Sequence, residues 1–211
     1  MRALALAALL VSTVVPGAAQ SAWPRSDRPG HPYDDPQPKN APDELMVVVE
    51  IPAGSAVKYE IDKVTGRLFV DRFQSMPVAA PANYGSIPRS LAPDGDPVDA
   101  VVLTRFPLHP GAWIRVRPVG VIRTVDAEVP DDKILAVPVS EVDPTYDEIV
   151  DVDGIPAMER ERIAAYFRVY KQLPGSREGR IVETGGARKA REALAEGFAR
   201  YARAQDPTAK P

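Results

Sequence analysis

Between residues 45 and 140 the chain alternates short apolar stretches with turn-forming clusters. Leu45 to Ile51 is an apolar run broken by Glu50, the pattern of a buried strand with one carboxylate set into it. Val57, Tyr59 and Ile61 alternate with Lys58, Glu60 and Asp62, which puts the three charges on one strand face. Lys63-Val64-Thr65-Gly66 then reads as the turn of a hairpin whose second arm runs over 67–73. Further strands are expected over 98–103, 113–125 and 134–139, with Pro118 marking an edge or a bulge because it has no N–H to give to a ladder. The period becomes helical near the end. Ile163, Tyr166, Phe167 and Tyr170 follow the i, i+3, i+4, i+7 stripe behind Pro156, which suits a first helical position, and Pro174-Gly175 stops that helix. Ala190, Ala193, Leu194, Gly197, Phe198 and Tyr201 form a second stripe. Closely spaced strands followed by two helices predict an α+β fold, a small closed or partly closed, OB-like β-barrel with flanking α-helices.

The first residues obey other constraints. Met1-Arg2 precedes an apolar run over 3–15 and the small-residue exit Pro16-Gly17-Ala18-Ala19, the layout of a secretory signal peptide over 1–19. A spanning helix needs about 20 apolar residues. Cleavage near Ala19 is therefore expected, with an exported protein, periplasmic or secreted, and no membrane attachment of the mature form. Residues 20–43 hold Pro24, Pro29, Pro32, Pro36, Pro38 and Pro42, dense enough to prevent strand pairing, so an extended leader or linker is expected there. The folded domain is expected over 44–205, with 206–211 as a tail.

Composition narrows the chemistry. The 211 residues, 45% hydrophobic and 26% charged, suffice for one domain with a sizeable core. A net charge of −3 without a long basic run argues against a nucleic-acid surface. The absence of cysteine removes thiol nucleophiles, zinc–thiolate sites and disulfides together. His31 lies in the proline-rich stretch and His109 in a Leu-His-Pro-Gly turn, neither with metal-ligand spacing. Catalysis must rest on carboxylates, lysine, arginine, tyrosine and metal.

Asp94-Gly95-Asp96-Pro97-Val98-Asp99 places three carboxylates in six residues, and Asp126 and Asp131 follow. Such charge repels itself unless a cation sits among the groups, and oxygen-rich donors with few nitrogens suit magnesium or manganese. Asp, Gly and Pro are also ordinary turn formers whose side chains cap their own backbone. A calcium-binding EF-hand loop fits poorly, since glycine stands at the second place rather than the sixth and no glutamate stands at the twelfth. Lys58, Arg72, Lys133 and Lys171 are available to face a second anion, which suggests a metal-clamped phosphate site.

The order of several segments carries more information than any one of them. Glu50-Ile51-Pro52-Ala53, Lys58-Tyr59-Glu60-Ile61-Asp62, Phe69-Val70-Asp71-Arg72-Phe73, Pro81-Ala82-Asn83-Tyr84-Gly85, the acidic segment at 94–99 and Val137-Pro138 appear in sequence. Over roughly residues 46–171 this resembles the soluble family I inorganic pyrophosphatases. The resemblance implies hydrolysis of pyrophosphate with Mg2+, or Mn2+ or another divalent ion. It implies that Asp94, Asp99 and Asp131 hold a first metal, that Asp99 bridges to a second, and that Glu50, Asp126 and Asp131 hold further ions arriving with substrate. Asp96 would be the general base taking a proton from the attacking water. Lys58, Arg72, Lys133, Tyr170 and Lys171 would grip the phosphates, Tyr84 would sit in the site, and Glu60 would support the basic residues. A homo-oligomer is implied too, with a hexamer favoured.

Two departures stand out. The family pattern places an aromatic pair directly before Pro81, where this chain has Ala79 and Ala80, and a family tryptophan is absent near residues 183–186. Weakened activity or an altered metal preference is expected from the first. The alternative is a metal- or phosphate-binding module that kept the fold and lost turnover. A secreted calcium-stabilised carbohydrate-binding barrel would need an aromatic platform, for which Trp23 and Trp113 offer little.

Overall fold

The computed structural model describes residues 30–126, 128–174 and 180–206. Strands form at Leu45–Ile51 (β1), Val57–Ile61 (β2), Leu68–Phe73 (β3), Asn83–Ser86 (β4), Asp99–Val102 (β5), Trp113–Asp126 (β6), Val129–Pro130 (β7), Lys133–Pro138 (β8) and Arg180–Gly186 (β9). Helices form at Ala157–Val169 (α1) and Ala187–Ala204 (α2). β1, β4, β5, β8 and β6 pair in that order, and β6 returns to β1, which closes the ring of an OB-like barrel. Its pairings are antiparallel except β5 with β8, which is parallel. β6 is long enough to serve four partners in turn: β1 at its start, then β8, β9 and finally β7. Its register against β8 slips between Pro118 and Gly120, the bulge that a missing N–H predicts.

Alternation along the strands separates two cores. Ala100, Val102, Ile134 and Ala136 pack with Val47, Val49 and the Ala190, Ala193 and Leu194 stripe of α2. Their neighbours Val101, Leu135 and Val137 point the other way, onto Ile163, Tyr166 and Phe167 of α1. Both helical stripes thus do what their spacing predicts. Pro156 caps α1 from outside, and Ala157 is the first helical residue. No helix among the described residues is long and apolar enough to cross a membrane.

The structure corrects one expectation. Residues 30–43, expected as part of an extended leader or linker, lie against the barrel. Pro32–Asp34 forms a 3-10 turn that buries Tyr33 against Val48 and Ile61. The Gln37 amide donates to the Met46 and Pro88 carbonyls, each at 3.1 Å, and its oxygen accepts the Met46 N–H at 2.9 Å. Proline density does exclude strand pairing here, but anchoring side chains replace the missing ladder. The signal peptide expected over 1–19, the first part of the leader and the end of the tail lie outside the described residues.

Candidate active site

The basic arm of the site is the β2–β3 hairpin. Lys58 pairs with Arg72 across the hairpin and Tyr59 with Val70, so Asp71 is the extra residue of a bulge. Its carboxylate ties the two cations together: the Lys58 ammonium lies 2.9 Å from Asp71 Oδ2, and Arg72 Nη1 donates to that oxygen at 2.7 Å. Lys58 also donates to Glu60 Oε2 at 2.8 Å, as expected of charges on one strand face. Burial pulls the Lys58 ammonium down, but Glu60 and Asp71 outweigh it and hold it above the usual lysine range.

The acidic segment is a turn first. Gly95 takes a φ of 88°, a left-handed conformation that suits glycine, and the Asp96 N–H donates to Asp94 Oδ1 at 3.0 Å. Ser90 Oγ accepts the Val98 N–H at 2.8 Å. Behind the turn α2 comes so close at Gly197 that a Cβ there would meet Val98 Cγ2 at 2.8 Å. The turn-former reading is thus correct for the backbone, and it aims Asp94, Asp96 and Asp99 into the same cavity.

Parallel pairing of β5 with β8 sets Asp99 beside Lys133. Lys133 is 2% exposed, and its ammonium donates to Asp99 Oδ2 at 2.5 Å and to Asp131 Oδ1. Burial lowers its proton affinity, yet Asp99 and Asp131 more than restore it and hold the ammonium above the usual range. Asp131 is positioned through its backbone, whose N–H donates to the Thr124 carbonyl at 2.9 Å. At the C-terminal end of α1, Tyr170 stacks on Tyr166 with centroids 4.8 Å apart, and Lys171 donates to Asp126 Oδ2 at 2.5 Å. Burial raises the Tyr84 phenol far above its ordinary value, with Asp99 and Asp131 adding to it, so Tyr84 is a neutral hydrogen-bond donor.

Glu50 lies deepest. It is 5% exposed and accepts from the Tyr33 hydroxyl at 2.7 Å and from the Ile61 N–H at 3.3 Å, both on Oε1. Burial pushes its pKa up to about 7, against the Tyr33 hydrogen bond and helped by the negative charge of Asp99.

Every site residue proposed from the sequence, from Glu50 to Lys171, lines one cavity of about 1210 Å³, and none is placed elsewhere. Three further participants were missed. Asp71 lies within Phe69-Val70-Asp71-Arg72-Phe73, but only the bulge turns it toward Lys58. Lys63 pairs with Asp96 from a turn that looked purely structural. Tyr33 arrives from the stretch expected to be a leader. The cavity-lining Ala80 is held by backbone bonds to Ser55 and Gly54 and presents only a methyl group there.

Among the described residues, no three carboxylate or histidine side chains converge closely enough to grip an ion, because ammonium groups are interleaved with the acids. The donor chemistry nevertheless fits a hard divalent cation. Asp131 raises the pKa of Asp94, after burial, and Asp99 raises that of Glu50, so the carboxylates oppose one another's ionisation. A divalent ion would offset that repulsion, and an all-oxygen set suits hard divalent ions rather than thiolate- or imidazole-seeking metals.

A family model described as inorganic pyrophosphatase matches residues 47–202. The inorganic pyrophosphatase of Aquifex pyrophilus is 45% identical over 168 residues, covering 80% of this chain and 95% of that protein. That of Escherichia coli (strain K12) is 45% identical over 172 residues, covering 81% and 96%. Among solved structures, an inorganic phosphatase from Anaplasma phagocytophilum aligns with a TM-score of 0.78 at 40% identity, over 80% of this chain and 99% of that one. The inorganic pyrophosphatase of Thermus thermophilus aligns with a TM-score of 0.77 at 32% identity, over 82% and 99%. The matched region contains Glu50, Lys171 and every candidate residue between them, and the chain belongs to the inorganic pyrophosphatase family.

Proposed function

We propose that this chain hydrolyses inorganic pyrophosphate to two phosphates, using divalent metal, magnesium or manganese, and Asp96 as the general base. The observation that carries the proposal is the alternation of acids and cations on one cavity wall, with Lys133 between Asp99 and Asp131, Lys171 against Asp126 and Lys58 joined to Arg72 through Asp71. Glu50, Asp94, Asp99, Asp126 and Asp131 are the oxygen donors that would hold metal, which supplies Lewis acidity to acidify water and to screen the charge of the substrate. Asp96 suits the base, since it lines the cavity with its side chain 46% exposed, and its pair with Lys63 can hold the carboxylate in place. Lys58, Lys133 and Lys171 are all held above the usual lysine range and stay cationic at neutral pH. With Arg72 and the Tyr170 hydroxyl they can neutralise oxygens of the leaving phosphate as charge builds there. Tyr84 donates its proton without giving it up. Glu60 keeps Lys58 extended along the strand.

Replacing Asp96 with Asn removes the base and its partly exposed ion pair with Lys63, which contributes little to stability. Phosphate release from pyrophosphate should fall by about a hundredfold or more with the melting temperature retained. Normal turnover by that variant would overturn the base assignment. The same reading extends to an exported homo-oligomer, a hexamer by family habit. The signal-like pattern over 1–19 supports export, and exposed Phe69 and Phe73 on β3 suit a subunit contact. A mature chain beginning near Gln20 outside the cytoplasm, sedimenting well above one subunit, is the expected result.

A further inference from the structure

The segment before the family-matched region reaches the deepest carboxylate of the site. Residues 30–43 precede the match at 47–202, yet the Tyr33 hydroxyl lies 2.7 Å from Glu50 Oε1, with both residues nearly fully buried. Ser86 Oγ donates to the Tyr33 oxygen at 3.4 Å, so the phenol links β4 to the carboxylate on β1.

The segment is held on both sides of that contact. The Tyr33 N–H donates to His31 Nδ1 at 3.2 Å, and the Tyr33 carbonyl accepts the Arg89 N–H at 2.9 Å. Arg89 Nε donates to the Asp34 carbonyl at 2.8 Å, and the Tyr201 hydroxyl of α2 donates to Asp34 Oδ1 at 2.9 Å. Arg89 makes its two contacts from a left-handed φ of 54°, a region that L-residues avoid unless their surroundings hold them there.

We infer that Tyr33 is a positioning residue for Glu50: it fixes the carboxylate through Oε1 so that Glu50 faces the metal and substrate side of the cavity in one orientation. This rests on the pyrophosphatase reading above. Packing against Val48 and Ile61 alone does not account for a tyrosine, because phenylalanine would fill that place without burying a hydroxyl. A segment that precedes the matched residues 47–202 therefore contributes to the geometry of the site inside them.

The test compares the parent, Tyr33→Phe, Glu50→Gln and the double variant. Each is measured for kcat and KM with pyrophosphate, for Mg2+ affinity by calorimetry without substrate, and for melting temperature. Tyr33→Phe should lower kcat about tenfold and weaken Mg2+ about fivefold, the scale of one hydrogen bond to a charged group. The KM for pyrophosphate should stay within about twofold, because the Tyr33 hydroxyl donates to Glu50, a metal-holding rather than a phosphate-gripping residue. On the Glu50→Gln background the same change should cost less than about twofold more, since a group acting through Glu50 has nothing left to position. Parent-like kcat and Mg2+ affinity in Tyr33→Phe would overturn the inference, as would an undiminished loss in the double variant. If the parent itself released no phosphate, the functional reading would fall, while the Mg2+ affinities of the four proteins would still decide whether Tyr33 acts through Glu50.

Discussion

Lys133 and Glu50 show how single residues set the state of the wall. Lys133 is a buried ammonium between two carboxylates, and removing one member of such a group costs about 3–5 kcal/mol, because the remaining charges stay buried without a partner. Glu50 has the opposite problem, a carboxylate whose burial raises its pKa from 4.5 to about 7. Between those two values the folded chain binds a proton that the unfolded chain has released. Its contribution to stability therefore falls as pH rises through that window and levels off above about 7. In EDTA, the melting temperature of the parent should drop relative to Glu50→Gln between pH 5 and pH 8. A difference between the two that stays flat across that range would remove Glu50 as the source.

Elements place these residues with little freedom. The acidic turn at 94–99 is wedged between its own backbone bonds and α2, and Gly197 sets the spacing. Gly197→Val should push Val98 and move Asp96 and Asp99 by a fraction of an ångström. Loss of kcat/KM by about tenfold or more is expected, from misplacement alone. Equal kinetics in the variant would show that the turn tolerates the displacement. The ring strands other than β4, and the stripes of both helices, were legible because burial on defined faces imposes a period on their residues. β4 and β9 were not. Asn83-Tyr84-Gly85-Ser86 and Arg180–Gly186 carry few apolar residues, and they are strands because β1, β5 and β6 offer open edges. The docking of residues 30–43 was hidden for a related reason, since Tyr33 and Gln37 act as isolated anchors without a repeat. Asp71 shows the limit for the site: alternation aims it away from its neighbour Arg72, and a bulge aims it back.

Across the whole molecule, the cavity gathers residues from Glu50 to Lys171, spread over β1 to β6, the acidic turn at 94–99, β8 and the end of α1. The family motifs made most of this set readable before any fold was known. Lys63 and Tyr33 were not, because their partners Asp96 and Glu50 are distant in sequence and only folding brings them near. The arrangement concentrates negative charge at fixed positions and intersperses cations that can face a second anion. Such a wall is suited to holding metal and an anionic substrate at once, and its output depends on both. The most direct measurement is phosphate released from pyrophosphate by the purified protein across a magnesium titration, repeated after EDTA and again after magnesium is restored. Turnover that rises with magnesium, vanishes with EDTA and returns on restoration is the predicted result. Release that persists undiminished in EDTA, or no release at any magnesium concentration, would contradict it.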